Sequence, residues 1–221
     1  MKFATLFSGG KDSTYCIYYY LQQGWEPVYL VTILPENPHS YMYHTPNVAL
    51  TNLQARAMGL PIIQTASKGV KEEELEDLRS AISTVKDQID AVVAGAVWSE
   101  YQKTRIERIC YEVGLKSYCP LWHKDQVRLL HELVASGFKM VITAVAAQGL
   151  DESWLGREID GKTIRDLKGL YKKHGINPAG EGGEFETLVV DGPIFRRPIQ
   201  IKESVKHWEK DSGWLEIIKA I

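Results

Sequence analysis

Residues 1–21 read MKFATLFSGGKDSTYCIYYYL, and the fold is decided by the three parts of that stretch. Lys2 to Phe7 is a short strand-like run. Ser8-Gly9-Gly10-Lys11-Asp12-Ser13 is a polar turn, and Ser13 to Gln22 is a helix closed by Gly24. Two glycines let the backbone turn and approach a ligand closely. N–H groups at the start of the helix then point at an anion, and the helix dipole adds to them. Ser8 and Ser13 supply hydroxyls, Lys11 supplies a charge, and Asp12 can orient a metal ion or a neighbouring donor. The loop is not a Walker A motif, which needs GxxxxGK[ST]; here Gly10-Lys11 is followed by Asp12. GxGxxG is absent too. The plain alternative is a serine-capped glycine turn.

Outward from this unit the chain repeats its grammar. Residues 26–34, EPVYLVTIL, form a continuous apolar run suited to a buried parallel strand. Residues 35–47 make a long loop with three prolines and two histidines. A helix over 47–58 stops at Gly59, and PIIQTA is a strand. Residues 71–89 carry acids at the start of an amphipathic helix. Residues 90–97 form a strand that runs into Gly95. A helix over 99–113 has Ser99 as its N-cap. A strand ends near Trp122, a helix covers 125–135, and FKMVITAVAA is a further strand. Strand and helix thus alternate to about Ala147, which predicts an α/β fold: a doubly wound parallel sheet with helices on both faces. After that the pattern changes. Residues 150–175 look helical and charged, and the glycine-dense NPAGEGGEFETLVVDGP reads as β-hairpin. Two units are expected, a nucleotide-binding domain over 1–147 and a smaller α+β subdomain for substrate recognition over 148–221.

Composition narrows the class. The chain has 221 residues, 44% hydrophobic and 24% charged, with formal net charge −2. That is ordinary for a globular protein and advertises no nucleic-acid partner. Three cysteines without a CxxC pair exclude a disulfide framework and a cysteine-rich zinc site. No apolar run is long enough for a membrane span, and no leader is evident. A cytoplasmic location is expected.

Three further stretches carry chemistry. GAVWSEYQKTRIERICYEVGL (95–115) begins where a strand ends, the edge at which open α/β sheets bind ligands. Ser99, Gln102 and Arg105 fall on successive turns of one helix face, and Arg105 can pair with phosphate or carboxylate. YCPLWHKD places Trp122 to stack on a base or to cover a site, although a lone aromatic is more often core or rim. GEGGEFETLVVDGP (180–193) sets Glu181, Glu184 and Glu186 among glycines. Like charges held close raise a carboxyl pKa, as a substrate clamp or general base requires.

SGGKDS after the first strand resembles the pyrophosphate loop of the N-type ATP pyrophosphatases, which split ATP between the α- and β-phosphates. The lack of paired cysteines sets the chain apart from tRNA-thiolating members. SGGKDS, GAVxSxYQxxRxExxC, PLW and EGGEFETLVxDGP, in that order and across essentially the whole chain, resemble the diphthine–ammonia ligase family. That family is also described as adenosine-nucleotide alpha-hydrolase-like.

The resemblance implies the last step of diphthamide synthesis on translation elongation factor 2. The diphthine carboxylate is adenylated by ATP with Mg2+, and ammonia displaces AMP. It implies that Ser8, Gly9, Gly10, Lys11, Asp12 and Ser13 hold the phosphates, and that Gly95 and Ala96 line the nucleotide site. It puts His44, Ser99, Gln102, Arg105, Glu184, Glu186 and Thr187 on the substrate side, with Lys11, Asp12, Arg105, Glu184 and Glu186 as catalytic candidates. The metal ligands stay open, and a homodimer is compatible with the pattern. Two alternatives remain at this point: a tRNA-modifying pyrophosphatase, and a non-catalytic ATP- or AMP-binding protein.

Overall fold

The computed structural model describes residues 1–35, 47–68 and 73–221. Strand β1 (Lys2–Leu6) lies at the centre of a parallel five-stranded sheet. Its neighbours are β2 (Glu26–Pro35) and β4 (Ala91–Val93), flanked in turn by β3 (Ile62–Ser67) and β5 (Lys116–Tyr118), in the order β3-β2-β1-β4-β5. The order reverses between β1 and β4. At such a switch point the loops leaving two adjacent strands diverge to opposite faces and open a crevice at the carboxyl edge. SGGKDS leaves β1 and Gly95-Ala96 follows β4, so the two expected nucleotide segments flank the crevice.

The strand interiors explain this placement. Phe3, Ala4, Leu30, Val31, Val92 and Val93 are all buried, as a sheet covered on both faces demands. Helix α1 (Lys11–Leu21) returns from the loop and buries Tyr15, Cys16, Ile17 and Tyr20. Helix α2 (Thr51–Met58) ends at Gly59, whose left-handed φ of 72° closes the last turn. Helix α4 (Glu100–Val113) starts at Ser99, whose hydroxyl accepts the Gln102 N–H, the cap expected from sequence.

Several expectations need correcting. The helix expected over 71–89 is α3 (Glu73–Ser83), followed by a separate 3-10 turn at Lys86–Gln88. Ser83 and Thr84 hydroxyls turn back onto the carbonyls of Arg79 and Ala81, a competition that ends helices. Residues 150–175 are likewise not one helix. Asp151 caps a 3-10 turn at Glu152–Trp154, and Asp160 separately caps α6 (Gly161–His174).

The strand over 139–145 does not join the parallel sheet. It is β6 (Lys139–Val145), reached through α5 (Gln126–Ala135), and it pairs antiparallel with β7 (Phe185–Asp191) and β9 (Ser212–Ala220). With β8 (Ile201–Glu209) they form a second sheet, β7-β6-β9-β8. The hairpin is therefore β8–β9. FETLVV lies in an edge strand beside β6, and GEGGE is the loop that enters it. An apolar run fixes that a strand is buried, but not whether its partner lies upstream or downstream. The change from parallel to antiparallel pairing falls between β5 and β6, ahead of residue 147.

One hydrophobic cluster joins both sheets. Phe3, Tyr15 and Val93 of the first half pack in it with Met140, Ile142, Val189 and Leu215 of the second. No helix among the described residues is long and apolar enough to cross a membrane.

Candidate active site

The crevice is a cavity of about 590 Å³, lined on one side by Ser8, Gly10, Lys11, Asp12 and Ser13 and on the other by Glu181, Glu186 and Thr187. Gly95, Ala96, Ser99 and Gln102 form a third wall. The two ends of the chain thus meet across one site.

The loop is shaped by its own hydroxyls. Ser8 and Ser13 Oγ atoms lie 3.2 Å apart, and the Ser8 N–H donates to Ser13 Oγ at 3.3 Å. The cap residue of α1 is Gly10, which has no side chain to occupy the first-turn N–H donors. The Lys11 N–H is the exception, donating to Thr187 Oγ1 at 3.1 Å. Uncapped donors at a helix start are a ready anion site. Gly95 is small for a steric reason. A Cβ there would come within 2.8 Å of the Ser13 backbone nitrogen.

Lys11 is the electrostatic centre. Its Nζ donates to Asp12 Oδ2 at 2.6 Å and to Glu181 Oε1 at 3.2 Å. Burial pulls the ammonium pKa down, but the Asp12 and Glu181 carboxylates outweigh it and hold Lys11 above its ordinary value. Lys11 therefore stays charged. Glu181 is pushed up by burial and by the Asp12 charge, with Lys11 pulling against them. Glu186 is pushed up to about 7, first by burial, with Lys11 opposing and the Asp12 and Glu181 charges adding. A carboxyl poised near neutrality can take up and release a proton at working pH.

The expected residues separate in space. Lys11, Asp12, Ser99, Gln102, Glu186 and Thr187 share the cavity. Glu184 turns away, its carboxylate accepting the N–H groups of Asn177 and Gly182 at 2.8 Å each, which braces the loop that carries Glu181. Arg105 is not among the lining residues; its guanidinium lies 3.4 Å from the Tyr101 ring centroid. Trp122 stacks on His123 with Lys103 over its ring, and does not line the cavity. His44 lies outside the described residues.

Glu181, in the cavity wall, and Gln54, behind it, were not among the substrate-side or catalytic candidates. Glu181 was visible as part of the glutamate cluster, yet spacing alone gives no reason to prefer it to Glu184. Gln54, on α2, is fully buried and donates to Gly9 O and to Val189 O, each at 2.8 Å. The sequence holds no local signal for it, because both acceptors are main-chain carbonyls remote in the chain.

A magnesium site is testable on the residues present. Asp12 Oδ1 is buried with no hydrogen-bond partner among the described residues. One free carboxylate oxygen beside a phosphate cradle fits a cation that takes most of its ligands from phosphate and water. No group of three or more candidate ligands occurs among the described residues.

The sequence is similar to known proteins over both halves. The sequence model of the diphthamide synthase N-terminal domain matches residues 1–117, and that of the diphthamide synthase C-terminal domain matches residues 125–221. The mouse protein named diphthine–ammonia ligase is 35% identical, over 94% of this chain and 86% of its own length. The human protein of that name is 34% identical, over 92% and 84%. The fission yeast protein is 35% identical over 98% of this chain, which spans only 39% of that longer relative. A solved structure described as "predicted subunit of tRNA methyltransferase" from Methanocaldococcus jannaschii aligns at TM-score 0.45 and 18% identity, over 87% of this chain and 98% of that one, too slight a likeness to bear on function. With both halves matched by their own family models, the chain belongs to the diphthamide synthase family.

Proposed function

We propose that this protein is an ATP-dependent diphthine–ammonia ligase, which amidates the diphthine of translation elongation factor 2 in the cytoplasm. The observation that carries the reading is the meeting of SGGKDS and EGGEFET across one cavity, through Lys11, Thr187 and Glu181. The phosphate loop holds the β- and γ-phosphates and leaves the α-phosphorus open. A carboxylate oxygen of diphthine attacks that phosphorus. The bond to the bridging oxygen breaks, and pyrophosphate leaves with the electron pair. Lys11 and the first-turn N–H groups stabilise the charge that develops on the leaving group. Asp12 would hold magnesium, which would supply further charge neutralisation.

Ammonia then attacks the acyl carbonyl and AMP departs. Glu186 takes the proton from ammonium, a role suited to a carboxyl with a pKa of about 7. Ser99 and Gln102 orient the substrate carboxylate from the third wall. Arg105 and Glu184 act at a distance, by setting the α4 surface and the Glu181 loop. Every residue in this reading belongs to one chain, so a homodimer is not required.

The test is mass spectrometry of diphthine-bearing elongation factor 2 after incubation with ATP and ammonium. The expected result is conversion of acid to amide, with AMP and pyrophosphate formed only when all three substrates are present. Turnover to ADP and phosphate would refute it.

A further inference from the structure

Gly9 has a φ of 81°, a left-handed conformation that the loop needs in order to turn its N–H groups into the cavity. Its carbonyl accepts two hydrogen bonds. One comes from the Val189 N–H at 3.0 Å and the other from Gln54 Nε2 at 2.8 Å. The same Gln54 nitrogen donates to Val189 O, so a single carboxamide bridges the phosphate loop and β7. The amide orientation is forced. Turned over, Oε1 would face two carbonyl oxygens, so the donor must point at them and Oε1 must point elsewhere. Oε1 is left buried without a hydrogen-bond partner, packed where a Cβ on Gly9 would overlap it. A polar atom left unsatisfied in this way needs a reason.

We infer that Gln54 is a positioning residue for the triphosphate: its carboxamide holds Gly9 in the left-handed turn and locks the loop to the strand that carries Glu186 and Thr187. Oε1 excludes any side chain at position 9, and Nε2 fixes the peptide plane that follows Gly9. Gln54 does not touch the crevice; it is absent from the lining residues. Its effect is therefore on the shape of the phosphate cradle and not on the wall formed by Gly95 and Ala96. The inference rests on the reading that SGGKDS grips the β- and γ-phosphates.

That division gives a test which a merely structural role would not pass. Gln54→Leu keeps the buried volume and removes both donors. Calorimetric titration of the folded variant with ATP, pyrophosphate and AMP reads the two parts of the site separately. ATP and pyrophosphate should each bind roughly tenfold more weakly or worse, while AMP stays within about twofold of wild type. Gln54→Met, which likewise removes both donors, carries the test if Gln54→Leu does not fold. Unchanged ATP affinity in these variants overturns the inference and leaves the ligase reading standing. Equal weakening of ATP and AMP overturns it in favour of general destabilisation. Wild-type protein that binds neither ATP nor pyrophosphate removes the phosphate-grip reading and the inference with it.

Discussion

Lys11 sits between Asp12 and Glu181, with Glu186 close enough to feel all three charges. One cation among three carboxyls leaves a surplus of negative charge in a cavity proposed to take a polyanion. The surplus is relieved in part by holding Glu186 protonated up to about pH 7. The sign of its stability effect follows. The folded form binds a proton between the ordinary carboxyl range and about 7 that the unfolded chain has released. The stability that proton confers is present at low pH and is lost as pH rises through about 7. Gln cannot ionise, so Glu186→Gln should be more stable than wild type at pH 8, by about 2 kcal/mol, and equal to it at about pH 4, below the ordinary carboxyl value. Thermal unfolding at the two pH values checks this; a variant less stable than wild type at pH 8 sinks it. If the proposed reading holds, wild type should show a rise in amidation rate through neutral pH, and the same variant should lose it. Lys11→Ala should abolish AMP formation in a chain that still folds, as read by pyrophosphate release and circular dichroism. At this scale the glycine loop at 8–13 was legible in the sequence, because its residues are contiguous. The sequence was less informative about the glutamates. Glu184 and Glu181 differ only in which way their loop turns, and that depends on N–H donors at Asn177 and Gly182.

The elements meet where β4 ends against the start of α1. Gly95 is required there by contact, since a Cβ would lie 2.8 Å from Ser13 N and 2.9 Å from the Asp12 carbonyl carbon. Both are backbone atoms, so no rotamer change relieves the clash. Gly95→Ala should therefore shift the first turn of α1, weaken ATP binding, and cost on the order of 1–3 kcal/mol. Gly114 is the control. It has a φ of 80° with nothing within 4 Å of its missing Cβ, so Gly114→Ala should cost about 1 kcal/mol of strain and leave ATP affinity alone. Titration calorimetry with denaturant melts separates the two; equal ATP affinities in both variants would discard the argument. Elements with local causes were legible in advance: α1 behind its glycine loop, α4 behind the Ser99 cap, and the apolar β2. Those set by distant partners were not. β6 reads from its residues as one more parallel strand, and only β7 and β9, some 40 to 75 residues later, make it antiparallel.

Across the whole molecule, two sheets share one core and are also joined at the surface. Asn47, at a φ of 66°, lies between β2 and α2 and reaches the second sheet with its side chain. Its Nδ2 donates to Leu215 O at 2.8 Å, and its Oδ1 accepts the Ile217 N–H at 3.0 Å. The carboxamide thus imitates a strand neighbour for β9 beyond the point where β6 stops pairing, since β6 meets β9 only at Trp214 and Gly213. With Phe3, Val93, Met140 and Leu215 in one cluster, neither half can expose its apolar face without exposing the other's. The chain should therefore unfold in one cooperative transition, with tryptophan fluorescence and far-UV circular dichroism superimposing in urea. Asn47→Gly keeps the left-handed backbone accessible and removes both bonds, so it should lower stability by about 1–3 kcal/mol while the transition stays single. Were the sheets separate folding units, the two probes would part in the wild type, and Asn47→Gly would shift the midpoint of the hairpin's transition alone. The shared core predicts the first behaviour, because the Asn47 contact adds to a junction already formed by buried side chains.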